Sequence, residues 1–223
     1  MVQKSRLRVL PRNLEIGLQL LERGYSLSSG GNVPASKLLE KVAELLNRLD
    51  DEGVDWVLVG AEAINLYRKR PRATVDIGLV VRAKHVRRVR KVLDEMCVAV
   101  EDTEVHLKGT LSPPPLELTV DVIESQSHPL FEEALDRQVR IEGVRAPKLE
   151  ALLALKFLSA VSPGRLREDK LQDVADFIKA FKDNRPAIDR PLLVSLGSRA
   201  HANAAEEFAG FLDAVENDRP ITI

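Results

Sequence analysis

The sequence predicts a mixed α/β (α+β) fold: a mixed sheet flanked by helices, followed by a helical C-terminal region. Three observations carry this expectation. A short apolar run from Asp55 to Val59 meets Gly60 and then a helix-competent segment to Tyr67, the order strand, glycine turn, helix. Two later stretches, Ala73 to Val81 and Leu116 to Ile123, alternate in polarity and are rich in branched residues, as half-buried strands are. Beyond Ser125 the strand-like runs give way to helical spacing.

Taken in order, residues 1 to 12 are basic and irregular, and Leu14, Ile16, Leu18, Leu20 and Leu21 suit a short helix over Asn13 to Arg23. Ser28 to Pro34 reads as loop. Leu38, Leu39, Val42, Leu45, Leu46 and Leu49 recur at helical spacing between Ala35 and Glu52, and Gly53 stops the pattern as a helix C-cap does. After the first strand and helix, Arg68 to Arg72 is a basic link containing Pro71, and Val86, Val89, Val92, Leu93 and Met96 mark another helix. Strand candidates follow at Cys97 to Val100 and Glu104 to Leu107, with a turn at Pro113–Pro115. Helices are expected at Lys148 to Val161, Asp169 to Lys182 and about Pro191 to Asn217. The implied organisation is an N-terminal extension (1–34), an α/β core (35–125) and a helical C-terminal region (126–223).

Composition narrows the function classes. One cysteine excludes a disulfide framework, and with four scattered histidines no spacing suggests zinc, so a cytoplasmic protein is expected. Cys97, in an apolar context, reads as a small hydrophobe. No apolar run approaches the roughly 20 residues of a membrane span, and no leader pattern opens the chain. The net charge of −1 conceals a basic stretch in which Arg68, Lys69, Arg70, Arg72, Arg82, Lys84, Arg87, Arg88, Arg90 and Lys91 face only Asp76. Such a stretch suits phosphates, or is a solvated helix face, the simpler reading for the part after Arg82.

Chemistry points to two aspartates. Asp76 lies between Val75 and Ile77, and Asp121 between Val120 and Val122, both inside hydrophobic strands where an unpaired carboxylate is costly to bury. Residues two apart share a sheet face, so Asp76 and Gly78 would stand side by side. Either aspartate alone could sit near a strand end and pair with an arginine or a backbone amide. Glu62, two residues after Gly60, reads as an exposed helix-start glutamate complementing the helix dipole, with reach into a site the alternative. His106 and His128 have no spaced partners and are left outside the candidate site.

Considered together, Val57-Leu58-Val59-Gly60-Ala61-Glu62-Ala63 and Arg72-Ala73-Thr74-Val75-Asp76-Ile77-Gly78-Leu79-Val80-Val81 resemble the nucleotidyltransferase superfamily, and within it the minimal nucleotidyltransferases and AbiEii-type toxin-like proteins. That pattern is a strand, Gly-Gly or Gly-Ser opening a helix, then Arg-x-Thr-x-Asp-x-Asp. Leu118 to Ile123, carrying Asp121, is similar to the later strand with the third carboxylate, and Leu149 to Lys156 to the helix whose lysine faces the nucleotide. Arg167 to Asp173 resembles the charged helix start that follows, and the likeness spans about residues 54 to 180. The resemblance implies a nucleotidyltransferase-like sheet, a nucleoside triphosphate bound with Mg2+, Asp76 and Asp121 as catalytic metal ligands, and Gly60, Ala61, Arg72, Thr74 and Lys156 at the nucleotide. It also implies an RNA or protein acceptor, a homodimer as one assembly, and a toxin-antitoxin role for the AbiEii-type relatives.

Two positions depart from that pattern. Ala61 replaces the second turn residue, and Gly78 replaces the second strand carboxylate, which removes a ligand from any two-metal arrangement. Three readings stay open: a Mg2+-dependent nucleotidyltransferase, a non-catalytic nucleotide or nucleic-acid binder on the same scaffold, and an oligomerising protein whose C-terminal helices supply an interface.

Overall fold

A computed structural model describes residues 9–29, 35–102, 106–112 and 117–221. The chain opens with two helices, α1 (Arg12–Ser29) and α2 (Ala35–Asp51), then β1 (Trp56–Val59), α3 (Gly60–Tyr67), β2 (Asp76–Val81) and α4 (Val86–Met96). β3 (Ala99–Asp102), β4 (His106–Ser112) and β5 (Leu118–Glu124) complete a sheet of order β1-β2-β5-β4-β3. Only β2 and β5 run parallel, and the other neighbours are antiparallel, so the sheet is mixed as expected. The parallel pair sits at its centre, where Ile77, Leu79, Val80, Val120 and Val122 are buried among helices on both faces.

α1 runs past the expected end at Arg23, through Ser29, so the loop assigned from Ser28 begins later; residues 30–34 lie outside the described part, as does the Pro113–Pro115 turn. Leu10, Leu14 and Leu18 anchor the N-terminal segment in the same hydrophobic core as the sheet. The strand expected from Cys97 begins later, at Ala99, because Cys97 caps α4 and its amide bonds the Leu93 carbonyl at 2.7 Å; the one expected over Glu104 to Leu107 falls partly outside the described residues, and its described part belongs to β4, which continues to Ser112. Cys97 is half-buried, with burial pushing its thiol up to about 11, in keeping with an inert packing residue.

The C-terminal region contains α5 (Pro129–Asp136), α6 (Leu149–Val161), α7 (Arg167–Asn184), α8 (Arg190–Gly197) and α9 (Ala204–Glu216). It also holds a hairpin that helical spacing did not anticipate, β6 (Gln138–Ile141) with β7 (Val144–Pro147), packed against β1. Its turn residues Glu142 and Gly143 both take positive φ, 47° and 88°, which matches a two-residue hairpin turn to the strand twist. The single helix expected over Pro191 to Asn217 is two, because the chain turns between Gly197 and Ala204 and folds α9 back over α8.

Phe157 of α6, Phe177 of α7 and Phe208 and Phe211 of α9 fill the centre of this helical layer, the Phe157 and Phe208 rings meeting edge-on at 4.8 Å. Gly197 lets Phe208 reach that position: a Cβ there would stand 2.3 Å from the ring. Gly197→Ala is therefore expected to lower unfolding free energy by about 1–3 kcal/mol, the usual cost of overpacking, read from urea titration midpoints at constant m.

Candidate functional site

The parallel register of β2 and β5 sets Gly78 opposite Asp121 and Asp76 opposite Thr119, so both aspartates project from one face of the sheet. They open on a cavity of about 440 Å³. Its sheet wall includes Asp76, Gly78 and Asp121; Gly60 and Ala61 border it at the start of α3; Arg72 and Thr74 enter from the α3–β2 link; and Lys156 enters from α6. All seven residues expected at the site, Asp76, Asp121, Gly60, Ala61, Arg72, Thr74 and Lys156, line this one cavity.

The two aspartates are placed differently. Thr74 Oγ1 donates to Asp76 Oδ1 at 2.8 Å, which orients that carboxylate at the cavity. Asp121 has its carboxyl pushed up, first by burial and then by the Asp76 charge, while Lys108 on the neighbouring strand and His106 pull it back. Gly78 supplies no ligand, and the space beside it is small: a Cβ at that position would stand 3.2 Å from both Cγ2 and the carbonyl oxygen of Val59. Among the described residues no three His, Cys, Asp or Glu side chains gather as a metal cluster.

Gly60 takes φ 72°, a conformation that side chains resist, and ends β1 directly on the first turn of α3. A Cβ there would meet nothing within 4 Å, so the need for glycine is conformational rather than steric.

Opposite the aspartates stands a cationic wall organised by Asp176, a residue that sequence reasoning missed. Asp176 has no exposed surface and accepts from Arg72 Nε and Nη2, both at 2.9 Å, from Lys156 Nζ at 3.0 Å, from Arg68 Nη1 at 3.1 Å and from Gln172 Nε2 at 3.2 Å. Burial alone would raise its carboxyl; the Arg72 hydrogen bonds and the Lys156 charge outweigh burial and hold it below its ordinary value. Lys156, itself buried, also donates to Asp173 at 2.8 Å, and Arg165 reaches the other oxygen of Asp173 at 3.2 Å. The signal that could have found these residues is the placement of Asp173 and Asp176 on the apolar face of α7, among Val174, Phe177 and Phe181.

The remaining basic residues belong elsewhere. Arg82 pairs with Asp55, Glu132 and Asp136, Arg90 with Asp94 and Asp102, and Lys91 with Glu52, while Arg88 bonds the Glu52 carbonyl, and none of these lines the cavity. His128 caps α5 by accepting from the Leu130 amide at 3.1 Å.

Glu62 overturns its expected placement as an exposed helix-start residue. It is fully buried beneath α1, and it does not line the cavity. The local helix-dipole reading fails because α1, some 45 residues earlier in the chain, packs over the start of α3. Its Oε2 accepts from Asn65 Nδ2 at 3.2 Å, while Oε1 has no hydrogen-bond partner among the described residues. Burial pushes its carboxyl up to about 8; the nearby Asp76 adds to that rise, and the Asn65 bond and Arg72 oppose it.

The pH dependence of stability follows from this shift. The unfolded chain releases the proton near the ordinary value of 4.5 and the folded chain keeps it to about 8, so burial of Glu62 costs stability progressively as pH rises between those values and uniformly above. Glu62→Gln removes the titration. The variant is expected to gain roughly 3 kcal/mol over the parent at pH 7 and to lose that advantage near pH 4.5, as measured by urea unfolding across the range.

No protein-family model matches the chain, and no curated protein does. Among solved structures, the chain is similar to the antibiotic-resistance factor ANT(2'')-Ia in solution, at 14% identity and TM-score 0.53, over 82% of this chain and 97% of that one. It is also similar to the crystal structure of ANT(2'')-Ia in complex with adenylyl-2''-tobramycin, at 16% identity and TM-score 0.50, over 72% of this chain and 97% of that one. These likenesses show the fold: a nucleotidyltransferase-like mixed α/β sheet flanked by helices.

Proposed function

We propose that the cavity binds a nucleoside triphosphate with Mg2+ and transfers its nucleoside monophosphate to a hydroxyl of an RNA, protein or small-molecule acceptor, forming the new phosphate ester as the α–β phosphoanhydride bond breaks and pyrophosphate leaves, at a rate limited by the glycine at position 78. The observation that carries this reading is the make-up of the cavity, about 440 Å³: Asp76 and Asp121 line it from the sheet, and Arg72, Lys156 and Arg165 line it from the link and the helices, together with Asp169 and Asp173. A polyphosphate needs both kinds of group. Its negative oxygens call for Arg72, Lys156 and Arg165, and its counter-cation calls for hard oxygen ligands.

Asp76 and Asp121 fit one such cation. They face the same cavity from adjacent strands, and the Asp76 charge raises the Asp121 carboxyl, a repulsion that a divalent cation would relieve. When bound, Mg2+ would neutralise charge on the phosphates at the reacting centre. Thr74 fixes the Asp76 carboxylate through its hydroxyl, and the glycine turn at Gly60 brings α3 amides to the cavity edge with no side chain intervening. Asp121, in its ionised form, is the carboxylate available to take the proton of an attacking hydroxyl.

A second reading, a nucleotide binder without turnover, is favoured by one specific feature: at position 78 the Val59 backbone occupies the side where a further carboxylate would emerge. The ANT(2'')-Ia likeness supports the scaffold in both readings and leaves the acceptor open.

Thermal unfolding with each of the four nucleoside triphosphates and Mg2+ tests the cavity directly. Saturation at 100 times the dissociation constant should stabilise the chain by about 2.7 kcal/mol, and Asp76→Ala should abolish the Mg2+-dependent part. No shift with any triphosphate would overturn both readings. Transfer of label from the bound triphosphate to cellular RNA or protein, lost in Asp76→Ala, separates the enzyme from the binder. Gly78→Asp is expected to raise Mg2+-dependent affinity at a stability cost of about 1–3 kcal/mol, because Val59 must give way to the new Cβ. Unchanged affinity would show that position 78 does not address the cation.

A further inference from the structure

The arginine of the cavity is held from behind, by residues that do not line it. Residues 68–75 form an irregular link between α3 and β2, without a ladder of their own to fix them. A single buried side chain takes that role at Arg72. Asn65 Oδ1 accepts from the Arg72 amide at 3.0 Å, and Asn65 Nδ2 donates to the Arg72 carbonyl at 2.8 Å, so one amide group satisfies both backbone groups of Arg72 as a neighbouring strand would.

α1 closes over this contact. Asn13 Nδ2 donates to the carbonyls of Asn65 at 2.9 Å and Arg68 at 2.7 Å, pinning both ends of the α3 terminus. One turn further, Gly17 comes so near that a Cβ would stand 2.9 Å from Asn65 Nδ2, 3.1 Å from the Arg72 carbonyl and 3.3 Å from Glu62 Oε1. The Arg72 carbonyl cannot step aside without moving the link. Leu14 and Leu18, both without exposed surface, bind α1 to the core alongside these contacts.

We propose that α1 is a positioning element for the cavity: Asn13 and Gly17 hold Asn65, Asn65 fixes the backbone of Arg72, and displacing α1 lowers the affinity of the cavity for polyphosphate. The inference rests on the anion-binding reading of the cavity given above. Its force comes from the shortness of the path. Arg72 sends its guanidinium to Asp176 on the cationic wall, and Thr74, two residues on, holds Asp76 on the anionic one. A shift in the link therefore disturbs both walls together. Asn65 touches neither ligand nor reacting atom in this scheme and is a positioning residue.

The test uses the full chain with two readouts, amide exchange over residues 68–75 and the dissociation constant for inorganic tripolyphosphate. Gly17→Ala and Asn65→Ala should each speed exchange in that segment and weaken tripolyphosphate binding by about tenfold, equivalent to about 1.4 kcal/mol. Leu212→Ala, a cavity mutation in the core of α9, supplies the control: it should lower global stability while leaving tripolyphosphate affinity unchanged. If the control weakens binding as much as Gly17→Ala and Asn65→Ala do, the effect is general destabilisation and the proposal is wrong. Unchanged exchange over 68–75 in both Gly17→Ala and Asn65→Ala would overturn the positioning role, as would faster exchange with unaltered affinity. Should the parent chain bind no tripolyphosphate, the anion-site reading falls and the proposed coupling falls with it, whereas the exchange readout still decides whether α1 holds the link.

Discussion

Everything on the helix side of the cavity depends on one buried carboxylate. Asp176 draws Arg68 and Arg72 from the α3–β2 link and Lys156 from α6 onto α7, tying elements that are distant in sequence. Three cations on one anion do not form a neutral pair. Asp173 supplies a second carboxylate to Lys156 and is itself shared with Arg165, so four cations meet two anions in this part of the structure. Arg72, Lys156 and Arg165 border the cavity, with Asp173 and Asp169 beside them. Buried ion pairs contribute little net stability compared with apolar packing of similar volume, because desolvation offsets the Coulomb gain. An apolar α7 face at positions 173 and 176 would pack as well. What the aspartates supply instead is a fixed place for guanidinium and ammonium groups that would otherwise turn outward to water.

The opposite wall is governed by the spacing between β1 and β2. Val59 pairs with Gly78 in the antiparallel register, and the Val59 side chain and carbonyl crowd the position where a side chain at 78 would begin. The missing carboxylate is thus matched by its surroundings: strand β1 sits close because nothing projects from residue 78. The cation-binding capacity left to the sheet is that of Asp76 and Asp121, whose mutual repulsion is moderated by Lys108 from the β4 side.

How much of this was legible in the sequence follows from where the information lies. β2 and β5 were readable because central parallel strands are runs of branched residues, and an aspartate within such a run stands out. The seven candidate residues, named through the resemblance, line one cavity from β2, β5, the start of α3, the link before β2 and α6. The β6–β7 hairpin was hidden because its strands are four residues each, too short for the alternation Gln138-Val139-Arg140-Ile141 and Val144-Arg145-Ala146 to stand out, and only the Glu142-Gly143 turn marked it. Glu62 misled for a different reason. At the opening of a helix, local rules favour an exposed acid, and only the docking of α1 decides that this one is buried. Asp176 could be flagged by its place on the apolar face of α7, but its partners depend on what faces that helix, which periodicity along one helix does not contain.

Glu62 and Asp176 show two solutions to the same problem of a carboxyl with no access to water. Asp176 stays charged because donors from several elements surround it, and its carboxyl lies below its ordinary value. Glu62 has one weak donor, Asn65, and becomes neutral at physiological pH, its carboxyl pushed up to about 8. The Arg72 guanidinium belongs to the first of these arrangements: its bonds from Nε and Nη2 to Asp176, with the charges of Asp76 and Asp173 adding to them, hold it at the cavity where a polyphosphate would be bound.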